Sequence, residues 1–321
     1  MKLNIKQAHE RIIIFDLIRG LAIIGVVIYH FAFDLRLLEF IQIDVTQNIY
    51  WVAFARILAG SFLALTGISL VLAHVNYMKW DAFFRRFFII AGAALIISIV
   101  TYYSYPDMFV YFGILHAIAL FSLLALPFLR LPLLIVFISA LLVLILPFIF
   151  DNEIFNQKEL SWIGFWQVPP FTADLVPIFP AFSATLVGVF LARILIKMNM
   201  LERLSNVLPK GVWVNILKQA SKWSLVIYLV HQPILLGILY PIAALVKSDE
   251  LPKDQAFYGA CFSSCLEMGE KATTCKSYCL CSLEQVEQGD LWDIINMPIL
   301  TKEQNQSISS ISNLCLAMQD K

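Results

Sequence analysis

Apolar residues gather in runs of about 20, each closed by a short polar or charged stretch. A helix of that length crosses the hydrocarbon of a bilayer, so the pattern predicts about seven spans, at 12–34, 48–74, 87–105, 109–128, 131–150, 175–196 and 223–246. The fold class that follows is all-α, a polytopic transmembrane helical bundle. The first run, IIIFDLIRGLAIIGVVIYHFAFDL, is long enough to span yet carries Asp16, Arg19, His30 and Asp34. A charged group at the centre of a span costs about 2.5–3.5 kcal/mol on insertion scales. At about 100° per residue, Asp16, Arg19 and His30 share one helical face. That face must look into a bundle or a wet cavity, with Arg19 and His30 about 16 Å apart along the axis.

Composition agrees. The 321 residues are 60% hydrophobic and only 14% charged, whereas a soluble domain carries about 25% charged residues. Formal net charge is +0, so no basic field points to a nucleic-acid partner. The first run is too long for the apolar region of a signal peptide, contains Arg19 and lacks a small-residue cleavage site. It therefore reads as a retained span. Lys and Arg set the orientation. Lys2, Lys6, Arg11, Lys79, Arg85, Arg86, Arg130, Arg193, Lys197, Arg203, Lys210, Lys218 and Lys222 fall on one side, against Arg36 and Lys158 on the other. The N-terminus is thus expected in the cytoplasm and the C-terminal tail outside, in a multi-pass protein of a bacterial inner membrane.

The tail differs in kind. All six cysteines lie at or after Cys261, which predicts a membrane domain over 1–248 and a Cys-rich extracytoplasmic tail over 249–321. Cys261 and Cys265 are four apart, as are Cys275 and Cys279, so each pair shares a helix face. A hairpin of two such helices brings Cys261 to Cys279 and Cys265 to Cys275, although spacing alone leaves the connectivity open. The tail holds no histidine and no CxxC zinc spacing, so structural disulfides are expected and no metal. Residues after about 300 read as a polar, flexible end whose partner the sequence does not name. The connection at 151–174, with Trp162, Phe165 and Trp166, reads as an interfacial aromatic belt or as a lid over a site.

Further polar groups sit within or beside the apolar runs: Arg56, His74, His116, Asp174 and His231. A buried neutral histidine bonded to a carbonyl explains His116 or His231. His74 is an ordinary boundary residue, and Arg56 calls for a carboxylate partner such as Asp16 or Asp34. His30 is the residue best suited to accept a proton near neutral pH. Asp34, one turn on, is placed to orient its imidazole.

The segment RGLAIIGVVIYHF resembles the first-span signature of membrane-bound acyltransferases. Together with GSFLALTGISLVLA, YFGILHAIALFSLLAL, DLVPIFPAFSATLVGVF and SLVIYLVHQPILL, in order over about residues 11–240, it resembles the catalytic-domain family of heparan-α-glucosaminide N-acetyltransferase, in its short bacterial form. That resemblance implies transfer of an acetyl group from cytoplasmic acetyl-CoA to an amino or hydroxyl group of an extracytoplasmic saccharide or glycolipid. Within it, His30, Asp34, His116 and Asp174 are the candidate catalytic residues. Arg19, Arg56, Arg85 and Arg86 are candidates for binding the acetyl-CoA, and His231, Gln232 and Trp166 for the acceptor. Monomer and homo-oligomer both stay open. Two competing readings are a transporter or flippase for a polar or lipid-linked solute, and a scaffold that displays the tail. The first accounts for buried charge but lacks a detectable repeat. The second leaves the charges of the first span unexplained.

Overall fold

The computed structural model describes residues 12–74, 77–205, 209–246, 253–295 and 301–317. The expected domain limit at 248/249 and the basic residues Lys2, Lys6 and Arg11 lie outside these. Among the described residues the chain is helical, with one isolated bridge, Phe112 to Leu175, and no strand. The helices are α1 (Ile13–Leu37), α2 (Ile49–His74), α3 (Trp80–Ser104), α4 (Ile114–Leu124), α5 (Leu133–Ile145), α6 (Lys158–Ser161), α7 (Ile178–Lys197), α8 (Met200–Ser205), α9 (Val212–Lys222) and α10 (Ser224–Val246). They are followed by α11 (Lys253–Glu267), α12 (Ala272–Gln288), α13 (Trp292–Ile295) and α14 (Lys302–Ala317). Two compact units result, Met1–Pro241 and Ile242–Lys321.

Five helices, α1, α2, α3, α7 and α10, are long and apolar enough to cross a membrane. The fourth and fifth expected spans form shorter apolar helices, Ile114–Leu124 and Leu133–Phe148. Sequence explains the shortening. Pro127 opens a single 3-10 turn after α4, Pro132 precedes α5 and Pro147 closes it, and proline cannot continue a helical hydrogen-bond ladder. Ahead of α4, residues 109–113 run as extended backbone beside 173–176. Ala173 N–H donates to Met108 O at 2.9 Å and Val176 N–H to Phe112 O at 3.0 Å. Non-helical backbone inside an apolar bundle requires this internal pairing.

The core of the first unit lies where α2, α4 and α7 meet. Leu63, Leu70, Phe121, Leu186 and Val189 are almost wholly enclosed there. Two glycines allow α2 and α7 to cross at close range. A methyl on Gly67 would run into the carbonyl oxygen of Thr185, and one on Gly188 into that of Ala64.

The connection after α5 is a folded plug. Phe165 is buried, stacks on Phe179 at 4.5 Å and meets Phe150 and Phe155 edge-on. Trp162 instead packs on Phe112, with ring centroids 5.5 Å apart.

The second unit is held by three disulfides: Cys261–Cys279, Cys265–Cys275 and Cys281–Cys315. The first two join α11 to α12, the arrangement that a hairpin of i, i+4 cysteine pairs brings together. The third joins α12 to α14. The polar stretch expected to be a flexible end is therefore a helix over Lys302–Ala317, anchored by a covalent bond where it lacks a strong apolar face.

Candidate active site

Two helices distant in sequence bring four polar side chains together. On α1, His30 and Asp34 are one turn apart and share a face. On α10, His231 and Gln232 meet them. The ring centroids of His30 and His231 lie 4.8 Å apart. Asp34 is fully buried, and its Oδ1 accepts a hydrogen bond from Gln232 Nε2 at 2.6 Å. His231 Nδ1 lies 2.9 Å from the Tyr228 carbonyl and 3.2 Å from that of Ile227. Carbonyls only accept, so Nδ1 carries the proton and Nε2 keeps its lone pair. A buried neutral histidine bonded to a carbonyl is thus what α10 contains.

Three acceptor atoms of this cluster are enclosed without a partner among the described residues: Asp34 Oδ2, Gln232 Oε1 and His231 Nε2. Buried polar atoms are rarely left so, and when they are, a functional ligand is one explanation. All three seek a donor. His30 itself makes no hydrogen bond within the protein among the described residues. Its ring rests between His231 and Tyr29, the latter at 5.7 Å. No hydrogen bond joins Asp34 to His30 among the described residues, although their spacing had suggested one; Asp34 Oδ1 accepts from Gln232 instead.

A cavity of about 860 Å³ opens along the first half of α1. Ile12, Phe15, Asp16, Arg19 and Ile23 form one wall, the helical face that the sequence marks as unsuited to lipid. Arg19, Lys79, Arg85, Arg86 and Lys222 also line it, against the single carboxylate of Asp16. Arg19 Nη1 lies 3.6 Å from Asp16 Oδ1, and Nη2 donates to Ser69 Oγ at 3.1 Å. Ser221 Oγ, at the end of α9, donates to the same Asp16 oxygen at 3.3 Å. The balance favours a polyanion.

Elsewhere on the wall lie Ile114, at the start of α4, and Tyr228. Asp174 Oδ2 accepts from Ile114 N–H at 2.9 Å and stands 3.5 Å from the Tyr228 hydroxyl. Asp174 thereby satisfies one of the free N–H groups that open α4.

The remaining candidates lie apart. His116 Nδ1 accepts from Gly113 N–H at 3.2 Å, and its Nε2 meets Ser98 Oγ at 3.2 Å. Ser98 Oγ donates its own hydrogen bond to Val110 O at 2.6 Å. Both nitrogens of His116 are therefore engaged, Nδ1 in capping α4 and Nε2 in a tie to α3. It borders a separate, mostly apolar cavity of about 470 Å³ with Phe87, Ala91 and Trp162. Arg56 is exposed on α2 and makes no ion pair among the described residues, since Asp16 is paired with Arg19 and Asp34 is bonded to Gln232. Trp166 belongs to the plug after α5 and lines neither cavity, and its indole N–H is enclosed without an acceptor among the described residues. Tyr228 was not marked by the sequence, because one aromatic in an apolar helix is unremarkable. The available signal was its position one turn before His231, on the same face.

The sequence model for the catalytic region of heparan-alpha-glucosaminide N-acetyltransferase matches residues 11–233. The chain belongs to this family. No curated protein and no solved structure shows a significant match to it. The heparan-alpha-glucosaminide N-acetyltransferase match begins just before α1 and ends one residue past Gln232. It thus takes in both walls of the cationic cavity and the whole His30–Asp34–His231–Gln232 cluster. The disulfide-bonded second unit lies outside it. Membership in this acetyltransferase family, with several helices fit to cross a bilayer, makes the protein a multi-pass membrane acyltransferase by kinship. Among the described residues no group of three or more His, Cys, Asp or Glu side chains could hold a metal ion.

Proposed function

We propose that the protein takes an acetyl group from acetyl-CoA on the cytoplasmic side and passes it to an amino or hydroxyl group of a saccharide or glycolipid outside. The chain crosses the membrane seven times in this reading, with the two short apolar helices completing five long spans, the N-terminus inside and the disulfide-bonded tail outside. The observation that carries it is the pairing of two environments along one helix. The early turns of α1 border a cavity in which five cations face one carboxylate, and its later turns carry His30 against His231.

The residues present fit the donor. Its phosphates suit Arg19, Lys79, Arg85, Arg86 and Lys222, and a cavity of about 860 Å³ lies within the usual range of roughly 300–1,000 Å³ for ligand pockets. Arg19 and His30 are about 16 Å apart along the helix axis, a span comparable to that between the nucleotide phosphates and the thioester of such a donor. The three unpartnered acceptors beside His30 fit a substrate that presents N–H or O–H groups.

Transfer then proceeds with balanced chemistry. The acceptor heteroatom attacks the thioester carbon, its proton passes to His30, the C–S bond breaks with its electron pair on sulfur, and the proton reaches the thiolate. Inverted membrane vesicles with radiolabelled acetyl-CoA added outside test the reading. Label should appear on a saccharide or glycolipid inside the vesicles, in proportion to the amount of this protein. A solute or lipid that crosses the membrane with no label transferred would favour the transporter.

A further inference from the structure

Tyr228 links the cationic cavity, which neither His30 nor His231 lines, to the imidazole pair. Its side chain lines the cavity, and its ring centroid is 5.7 Å from that of His231. Its main-chain carbonyl holds His231 Nδ1 at 2.9 Å. Among the described residues the hydroxyl at the far end of the ring reaches only Asp174 Oδ2, at 3.5 Å, and that oxygen is already bound by Ile114 N–H at 2.9 Å. An O–H···O bond is ordinarily about 2.5–3.0 Å long, so this hydroxyl is loosely held and turns away at little cost. Three other hydroxyls of the cavity wall donate at shorter range, whereas Ser69 Oγ accepts from Arg19 Nη2 at 3.1 Å and Ser224 has no side-chain hydrogen bond among the described residues. Ser122 Oγ donates to Ile118 O at 2.6 Å, Thr66 Oγ1 to Phe62 O at 2.9 Å, and Ser221 Oγ to Asp16 at 3.3 Å. Ile114, Leu115 and Leu225, which share the wall with Tyr228, have no side-chain donor. Tyr228 therefore supplies a weakly engaged O–H to the cavity wall from a ring that packs against His231.

We infer that Tyr228 is the hydrogen-bond donor to the thioester carbonyl oxygen during acyl transfer, an assignment that rests on the acyltransferase reading above. When the acceptor attacks, the carbonyl π pair moves onto oxygen, and the Tyr228 O–H turns from Asp174 to that oxyanion without giving up its proton. The C=O bond re-forms, the C–S bond breaks with its pair on sulfur, and the acceptor's proton travels by His30 to the thiolate. Asp174 keeps its bond to Ile114 N–H and takes the hydroxyl back after product leaves.

Tyr228→Phe isolates this role, because it preserves the ring and the main-chain carbonyl that fixes His231. The test compares full-length wild type, Tyr228→Phe and His30→Ala in detergent, measuring acetyl-CoA turnover and, separately, the binding of CoA itself. Loss of one oxyanion donor lowers kcat by about 10²–10³-fold. The expected result is a fall of that order in kcat for Tyr228→Phe, with CoA affinity and donor KM unchanged. A kcat close to wild type, or parallel loss of kcat and CoA binding, overturns the assignment while His30-dependent turnover of the wild type keeps the acyltransferase reading. Wild-type protein without His30-dependent turnover overturns both.

Discussion

Replacing Arg19 with methionine should raise the KM for acetyl-CoA by roughly tenfold or more while leaving the fold intact. In the resting protein the guanidinium sits 3.6 Å from Asp16 Oδ1, and both side chains are about one-quarter exposed, at 27% and 24%. Such a partly solvated pair contributes about 0–1 kcal/mol, so a phosphate can compete for Arg19 at small cost. A charge-assisted hydrogen bond to the arriving phosphate is worth about 1.5–3 kcal/mol, or about 10–150-fold in affinity. Lys79, Arg85, Arg86 and Lys222 remain and blunt the loss. Asp16 works in the other direction, because without Arg19 its carboxylate faces the phosphates with Ser221 as its remaining close donor. The double variant Arg19→Met/Asp16→Asn should therefore bind the donor better than Arg19→Met alone, a non-additive result that a double-mutant cycle reads directly. The assay is initial rate against acetyl-CoA concentration at saturating acceptor, with thermal unfolding of each variant alongside. An unchanged donor KM in folded Arg19→Met, or a change confined to acceptor KM, refutes the assignment of this cavity to the donor.

Gln232→Leu leaves both oxygens of the buried Asp34 carboxyl without a donor, which should cost about 1–3 kcal/mol of stability and show as a lower Tm. Asp34→Leu/Gln232→Leu, which removes both partners, should regain most of that stability and stay inactive; a double variant less stable than Gln232→Leu would contradict the geometry. The tail is expected outside the inner membrane, so a membrane-impermeant thiol reagent should label its six cysteines after reduction of spheroplasts. Labelling that requires lysis would reverse the orientation.

The face of α1 was readable because its polar residues recur at helical spacing within an apolar run. Asp16 and Arg19 line the cavity together, as their shared face demands. What faces His30 was not readable. The partner of Asp34 is Gln232, about 200 positions on in the chain, and periodicity along one helix carries no information about which helix packs against it. His116 shows the complementary limit, since a polar residue in an apolar helix marks a need for hydrogen bonds, and here that need is met by Gly113 and Ser98 at a helix start. The short α4 and α5 had their signals in Gly113, Pro127, Pro132 and Pro147, which a hydropathy window averages away. In the tail, paired i, i+4 cysteines announced a hairpin, whereas Cys281 and Cys315 share no such spacing and joined a helix whose composition alone reads as loose chain.

In the proposed reaction His30 moves the acceptor's proton during acyl transfer. Release of CoA from acetyl-CoA in the presence of a membrane saccharide fraction, measured for wild type and His30→Ala at equal fold content, tests it most directly. Wild type should release CoA and His30→Ala only the background amount, with CoA binding retained. Turnover by a folded His30→Ala within a few-fold of wild type would contradict it.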